Sequence, residues 1–100
     1  MILHIDTTNS EVTKIGFSDL ETISVPREKQ SQVVLPAIIS LLGKNKKTVK
    51  DISEILVNTG PGSFTGLRVG ISIANAMGYS LGIKVNGKDV VKDGPVEPVY

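Results

Sequence analysis

The residues best suited to chemistry in this chain are Gly60-Pro61-Gly62-Ser63-Phe64-Thr65-Gly66, set between a β-branched segment and a long apolar run. Glycines let a ligand or another backbone come close. Ser63 and Thr65 are both N-cap residue types, and the free N–H groups of a helix N-terminus attract anions. Gly62, Ser63, Thr65 and Gly66 are therefore candidate anion-binding residues; a turn with glycines for geometry alone is the competing reading. Two commoner glycine loops do not fit. A P-loop requires Lys and then Ser or Thr after its last glycine, whereas Leu67-Arg68 follow Gly66. The dinucleotide fingerprint needs glycine where Thr65 stands, and it belongs after the first strand of its unit rather than past mid-chain.

Little else offers reactivity. His4 is the only histidine and lies in a strand-like stretch, so no second imidazole can share a metal with it. The absence of cysteine excludes disulfides, thiolate metal sites and a cysteine nucleophile. No catalytic triad can be assembled, and no catalytic residue, metal or cofactor is expected. With 11 basic and 10 acidic residues the net charge is +1, so no global field favours nucleic acid. Lys44, Lys46, Lys47 and Lys50 do cluster, opposed only by Asp51. A solvated loop between elements is the preferred reading, with an RNA-binding patch as the alternative. No apolar run reaches the ~18 residues of a membrane span, and no basic region precedes a signal-peptide core. A soluble, cytoplasmic protein with no membrane contact is expected.

The elements that must position these residues follow a βββαβαβ order in one domain of 100 residues. Ile2 to Ile5 opens the fold, Val12 to Phe17 alternates, and Thr22 to Val25 is β-branched. A first helix is expected from about Lys29 to Leu42, closed by Gly43 and interrupted by Pro36. A fourth strand ends at Asn58 and feeds the glycine loop and a second helix, from about Leu67 to Leu81. Ile83 to Val85 is a fifth strand, and Asn86-Gly87 is a strong hairpin signal that could return a sixth through Lys88 to Val91. Short connections make the first three strands an antiparallel meander, and the helices join the later strands in parallel. The mixed strand faces predict helices on one side of the sheet only.

Both helices carry more apolar surface than one sheet face requires. The second is apolar over roughly two-thirds of its circumference, against the stripe of about 100° that suffices for packing on a sheet. Gly66, Gly70, Ala74, Gly78 and Gly82 add a ridge of small residues at i+4 spacing, at about 1 kcal/mol per glycine relative to alanine. Close approach of another element offsets that cost. The ridge fits either tight packing on the chain's own sheet or an intermolecular seam. Taking the excess as an interface gives Val34, Ile38, Leu41, Gly70, Ala74 and Met77 as expected partner-contact residues.

Three landmarks carry a family resemblance. Gly60-Pro61-Gly62-Ser63-Phe64-Thr65-Gly66-Leu67-Arg68-Val69-Gly70 resembles the signature of the TsaB (YeaZ) family, within the actin-like ATPase (ASKHA) superfamily. Ile2-Leu3-His4-Ile5-Asp6-Thr7-Thr8 is similar to its opening strand and turn, and Ser31 to Ile38 to its Leu-Leu-Pro helix. The resemblance implies an actin-like N-terminal subdomain over residues 1–86, a two-layer α/β unit with two main helices and a mixed sheet of five strands, or six. Residues 87–100 are then a short tail where the family has a second lobe, and Val96 to Tyr100 is similar to the family's terminal Pro-x-Tyr segment.

The resemblance also implies a role. The chain is expected to be a non-catalytic scaffold in tRNA threonylcarbamoyladenosine (t6A) modification. It would pair with a TsaD-like catalytic subunit, meet a TsaE-like ATPase through the complex, touch tRNA only indirectly, and form a homodimer when TsaD is absent. The alternative is a small nucleotide-binding or phosphotransfer enzyme using Asp6 and the Gly60–Gly66 loop. Because actin-like proteins hold nucleotide between two lobes, Asp6 is expected to be a turn residue.

Overall fold

The computed structural model describes residues 1–9, 11–18, 22–26, 30–62 and 64–99. Five strands, β1 (Ile2–Asp6), β2 (Val12–Phe17), β3 (Thr22–Pro26), β4 (Glu54–Val57) and β5 (Lys84–Val85), form one sheet in the order β3-β2-β1-β4-β5. The meander β1-β2-β3 is antiparallel, with Leu3 opposite Phe17 and Ile5 opposite Ile15. β4 adds to β1 in parallel, Leu3 beside Ile55, and β5 adds to β4. Helix α1 (Gln30–Lys44) packs on β2 and β3, and α2 (Phe64–Leu81) on β1, β4 and β5.

Alternation along the strands fixes which face the helices cover. Leu3, Ile5, Ile15, Phe17, Ile55, Val57 and Val85 are buried beneath α1 and α2. Their neighbours His4, Lys14 and Leu56 are exposed on the opposite face. The two-layer arrangement expected from the strand pattern is therefore the one adopted.

Element ends differ from the sequence reading for local reasons. α1 runs through Pro36 and Gly43 without a break. It stops where Lys46 enters the left-handed region at φ 58°, its N–H donating to Gly43 while the Lys47 N–H returns to Leu42. The expected start at Lys29 lies outside the described residues. Asn86-Gly87 makes the anticipated two-residue turn, both φ positive at 52° and 76°. The sixth strand does not follow, because pairing ends after the single Val85–Lys88 bridge. The Asp89 carboxylate accepts from the N–H groups of Val91 and Lys92, which folds that segment into a turn.

From Gly66 to Gly78 the small-residue ridge belongs to the chain's own core, while Gly82 lies exposed past the end of α2 at φ 68°. A Cβ at Gly70 would collide with the side chain of Thr7, and one at Gly78 would meet Val85 at 2.5 Å. Ala74 is wholly buried. Small residues let α2 settle close to β1 and β5, where dispersion attraction across the seam offsets the helix propensity lost.

Candidate functional site

The candidate site lies where β1 and β4, which run in parallel, deliver Asp6 and Asn58 to the same end of the sheet. One Asp6 carboxylate oxygen accepts from the Thr8 hydroxyl at 2.6 Å and from the Thr8 N–H at 2.9 Å. The other lies 3.5 Å from the Asn58 amide nitrogen. Partial burial pushes the Asp6 carboxyl upward, but the hydrogen bonds from Thr8 and Asn58 and the positive charge of Lys14 outweigh it, leaving the pKa below its ordinary value. Asp6 thus closes its own turn as an ionised acceptor. Its flank opens onto a concavity of about 370 Å³ on the helix-free sheet face, lined by His4, Asp6, Lys14, Leu56 and Asn58 among others.

The glycine loop is knitted to this turn. The Asn58 side chain accepts from the Gly60 N–H at 3.0 Å. Gly60 has φ 112°, a conformation reserved for glycine, and a Cβ there would run into the carbonyl of Val99. A Cβ at Gly62 would meet Thr8 at 2.8 Å. The glycines therefore serve close backbone approach within the chain. Thr7 Oγ1, between β1 and α2, is a buried side-chain oxygen without a hydrogen-bond partner among the described residues.

Of the expected anion-binding set, Gly62, Thr65 and Gly66 lie among the described residues. Ser63 lies outside the described residues. Because α2 begins at Phe64, Thr65 sits inside the first turn instead of capping it, and its side chain is exposed. Gly66 is buried, while Gly62 is exposed.

The expected interface residues require a larger correction. Val34, Ile38 and Ala74 are wholly buried in this chain alone, Leu41 and Met77 nearly so, and Gly70 is sealed against Thr7. They are core residues, because the sheet consumes the most apolar arc of each helix. Among the described residues, the large apolar side chains exposed on the helices are Leu35 at 46% and Ile39 at 50% on α1 and Tyr79 at 69% on α2, while Leu56, Val91 and Val99 are exposed elsewhere.

Two amide side chains whose bonding roles sequence reasoning did not assign hold the chain together, Asn86 having been read only for its turn. Asn75, on the polar arc of α2, accepts from the Val96 N–H and donates to the Val96 carbonyl, both at 2.9 Å. Asn86 makes the same reciprocal pair with Val57 at 2.9 and 3.0 Å, prolonging the β4–β5 pairing by a side chain. The tail is thereby strapped across α2, and the Val99 N–H reaches Thr59 at 2.7 Å. No local signal marks Asn75 among the polar residues of its arc, because its partner lies 21 residues away.

Among the described residues, no helix is long and apolar enough to cross a membrane. The family model described as "TsaD: tRNA N6-adenosine threonylcarbamoyltransferase" matches residues 24–87. The tRNA threonylcarbamoyladenosine biosynthesis protein TsaB of Bacillus subtilis is 31% identical over 116 residues, covering 99% of this chain and 49% of that protein. Its Escherichia coli namesake is 35% identical over 89 residues, covering 84% of this chain and 37% of its own length. The structure of YeaZ from Pseudomonas aeruginosa superposes with a TM-score of 0.68 at 25% identity, over 84% of this chain and 41% of that one. The chain thus spans about half the length, or less, of these relatives. Its actin-like mixed sheet, its glycine signature and these likenesses agree, and the chain belongs to the TsaD-type threonylcarbamoyladenosine family as a TsaB/YeaZ member.

Proposed function

We propose that this chain is a non-catalytic scaffold of the t6A machinery that pairs with a TsaD-like catalytic subunit through the outer sides of α1 and α2. The observation that carries this reading is the exposure of Leu35, Ile39 and Tyr79 on those helices after the sheet has been covered. Apolar groups in that position are stabilised by burial against a partner, at about 25 cal/mol per Å² removed from water. Without the TsaD-like subunit, the same face pairs two copies around a two-fold axis. A TsaE-like ATPase joins through the catalytic partner.

Asp6 supports the scaffold reading, since its carboxylate is engaged by Thr8 in an internal turn. Calorimetric titration with ATP, with and without a TsaD-like subunit, tests the proposal. The chain alone should give no tight binding. Micromolar affinity lost on Asp6→Ala would instead establish the nucleotide-enzyme alternative.

A further inference from the structure

A one-sided charge cluster lies at the end of the sheet opposite the glycine loop. Lys44, Lys46, Lys47 and Lys50 are all exposed, and they surround the turn that carries α1 into β4. With Asp51 included, residues 44–51 hold four basic groups and one acidic, a net of +3. The remaining seven basic and nine acidic residues leave the rest of the chain at −2. The near-neutral total therefore conceals a basic corner on an acidic body. The single opposing charge, Asp51, accepts from the Thr48 N–H at 2.8 Å and offsets Lys47 in part.

The segment is built rather than slack. The left-handed turn at Lys46 closes α1, and the Asn45 side chain caps the Leu41 carbonyl at 2.9 Å. The Thr48/Asp51 capping box sets the single helical turn Val49–Asp51. Asp51 and Ser53 are then tied to Met1 at 3.0 and 2.8 Å. Complementing the α1 dipole accounts for Lys44 in the last turn, but that effect fades within a turn and leaves Lys46, Lys47 and Lys50 unexplained. No aromatic residue lies in this stretch, so stacking on bases is unavailable and only a polyanionic backbone is matched.

We infer that the Lys44–Lys50 corner is a docking surface for the phosphodiester backbone of RNA, binding without regard to sequence. RNA is favoured over an acidic protein because the chain belongs to a tRNA-modification family; the choice of RNA rests on the t6A role proposed above. It also replaces the expectation that tRNA is met only indirectly.

The test is binding of an unmodified tRNA transcript, by fluorescence anisotropy across a salt series. The variant Lys46→Asn/Lys47→Gln/Lys50→Gln keeps a residue tolerant of the left-handed turn at position 46. It should lose at least about tenfold in affinity at low salt, with the slope of log K against log salt reduced by about two to three. Lys92→Gln, which removes an equally exposed charge from the segment beyond β5, should bind as the wild type does. Equal losses in both variants, no loss in the triple variant, or binding of polyglutamate as tight as tRNA would each overturn the RNA surface. The triple variant is also mixed with a TsaD-like subunit. Pairing retained with RNA affinity unchanged removes the RNA surface alone. RNA affinity lost specifically, with no pairing even by the wild type, supports the RNA surface and removes the scaffold reading.

Discussion

The inner sides of α1 and α2 are both apolar, whereas outside α1 shows Leu35 and Ile39 and α2 shows Tyr79 among Arg68, Ser72 and Ser80, and the two sides do opposite work. Inward, Val34, Ile38 and Ala74 have no exposure and pack on the sheet. Outward, Leu35, Ile39 and Tyr79 keep roughly half or more of their surface in water. An apolar count around a helix says that two surfaces exist; only the tertiary structure says which one is already covered. The side most regular in sequence, with small residues at every fourth position, is the side the chain uses for itself.

Substitutions on the two sides should therefore fail differently. Ala74→Arg places a charge in a seam with no room and no partner, at a cost of at least about 3 kcal/mol. Against a total stability of about 5–15 kcal/mol for a domain of ordinary stability, the expected result is gross loss of structure, seen as a collapsed urea midpoint. A folded Ala74→Arg protein would mean the inner side is not the core.

Removing the strap should have a middling effect. Asn75→Ala deletes both hydrogen bonds to Val96 and should cost about 1–3 kcal/mol. The loss should be local, read as faster amide exchange at Val96 and Val99 with the sheet amides still protected. Uniform acceleration would place Asn75 in the global core instead.

The smallest effect concerns Asp6. Its lowered pKa means that it contributes stability above the ordinary carboxylate value of 3.8, and that this is lost as pH falls through the folded value. Asp6→Asn should remove that acid-sensitive component, flattening the fall in stability below pH 4. An identical acid limb in variant and wild type would contradict the internal-turn role.

Much of the fold was legible because period and punctuation agreed. β2 was bounded correctly by its alternation, and Asn86-Gly87 announced its turn type through the positive φ both residues accept. What failed depended on distant partners. The missing sixth strand is the exception, since Asp89 is a turn-forming residue whose carboxylate takes the N–H groups only two and three positions on. Nothing beside Gly70 signals that Thr7 will occupy the space a Cβ would need. At the candidate site, the glycine signature located the right loop, but its purpose was set by Thr8 and Val99, far away in sequence and adjacent in space.

The most direct test of the scaffold reading uses the outer side alone. Ile39→Arg alters a half-exposed residue, so circular dichroism should be unchanged and the stability shift should stay within about 0.5 kcal/mol. Light scattering of equimolar mixtures with a TsaD-like subunit should then show the complex mass for the wild type and separate components for Ile39→Arg. A folded Ile39→Arg protein that forms the same complex would contradict pairing through the outer face of these helices.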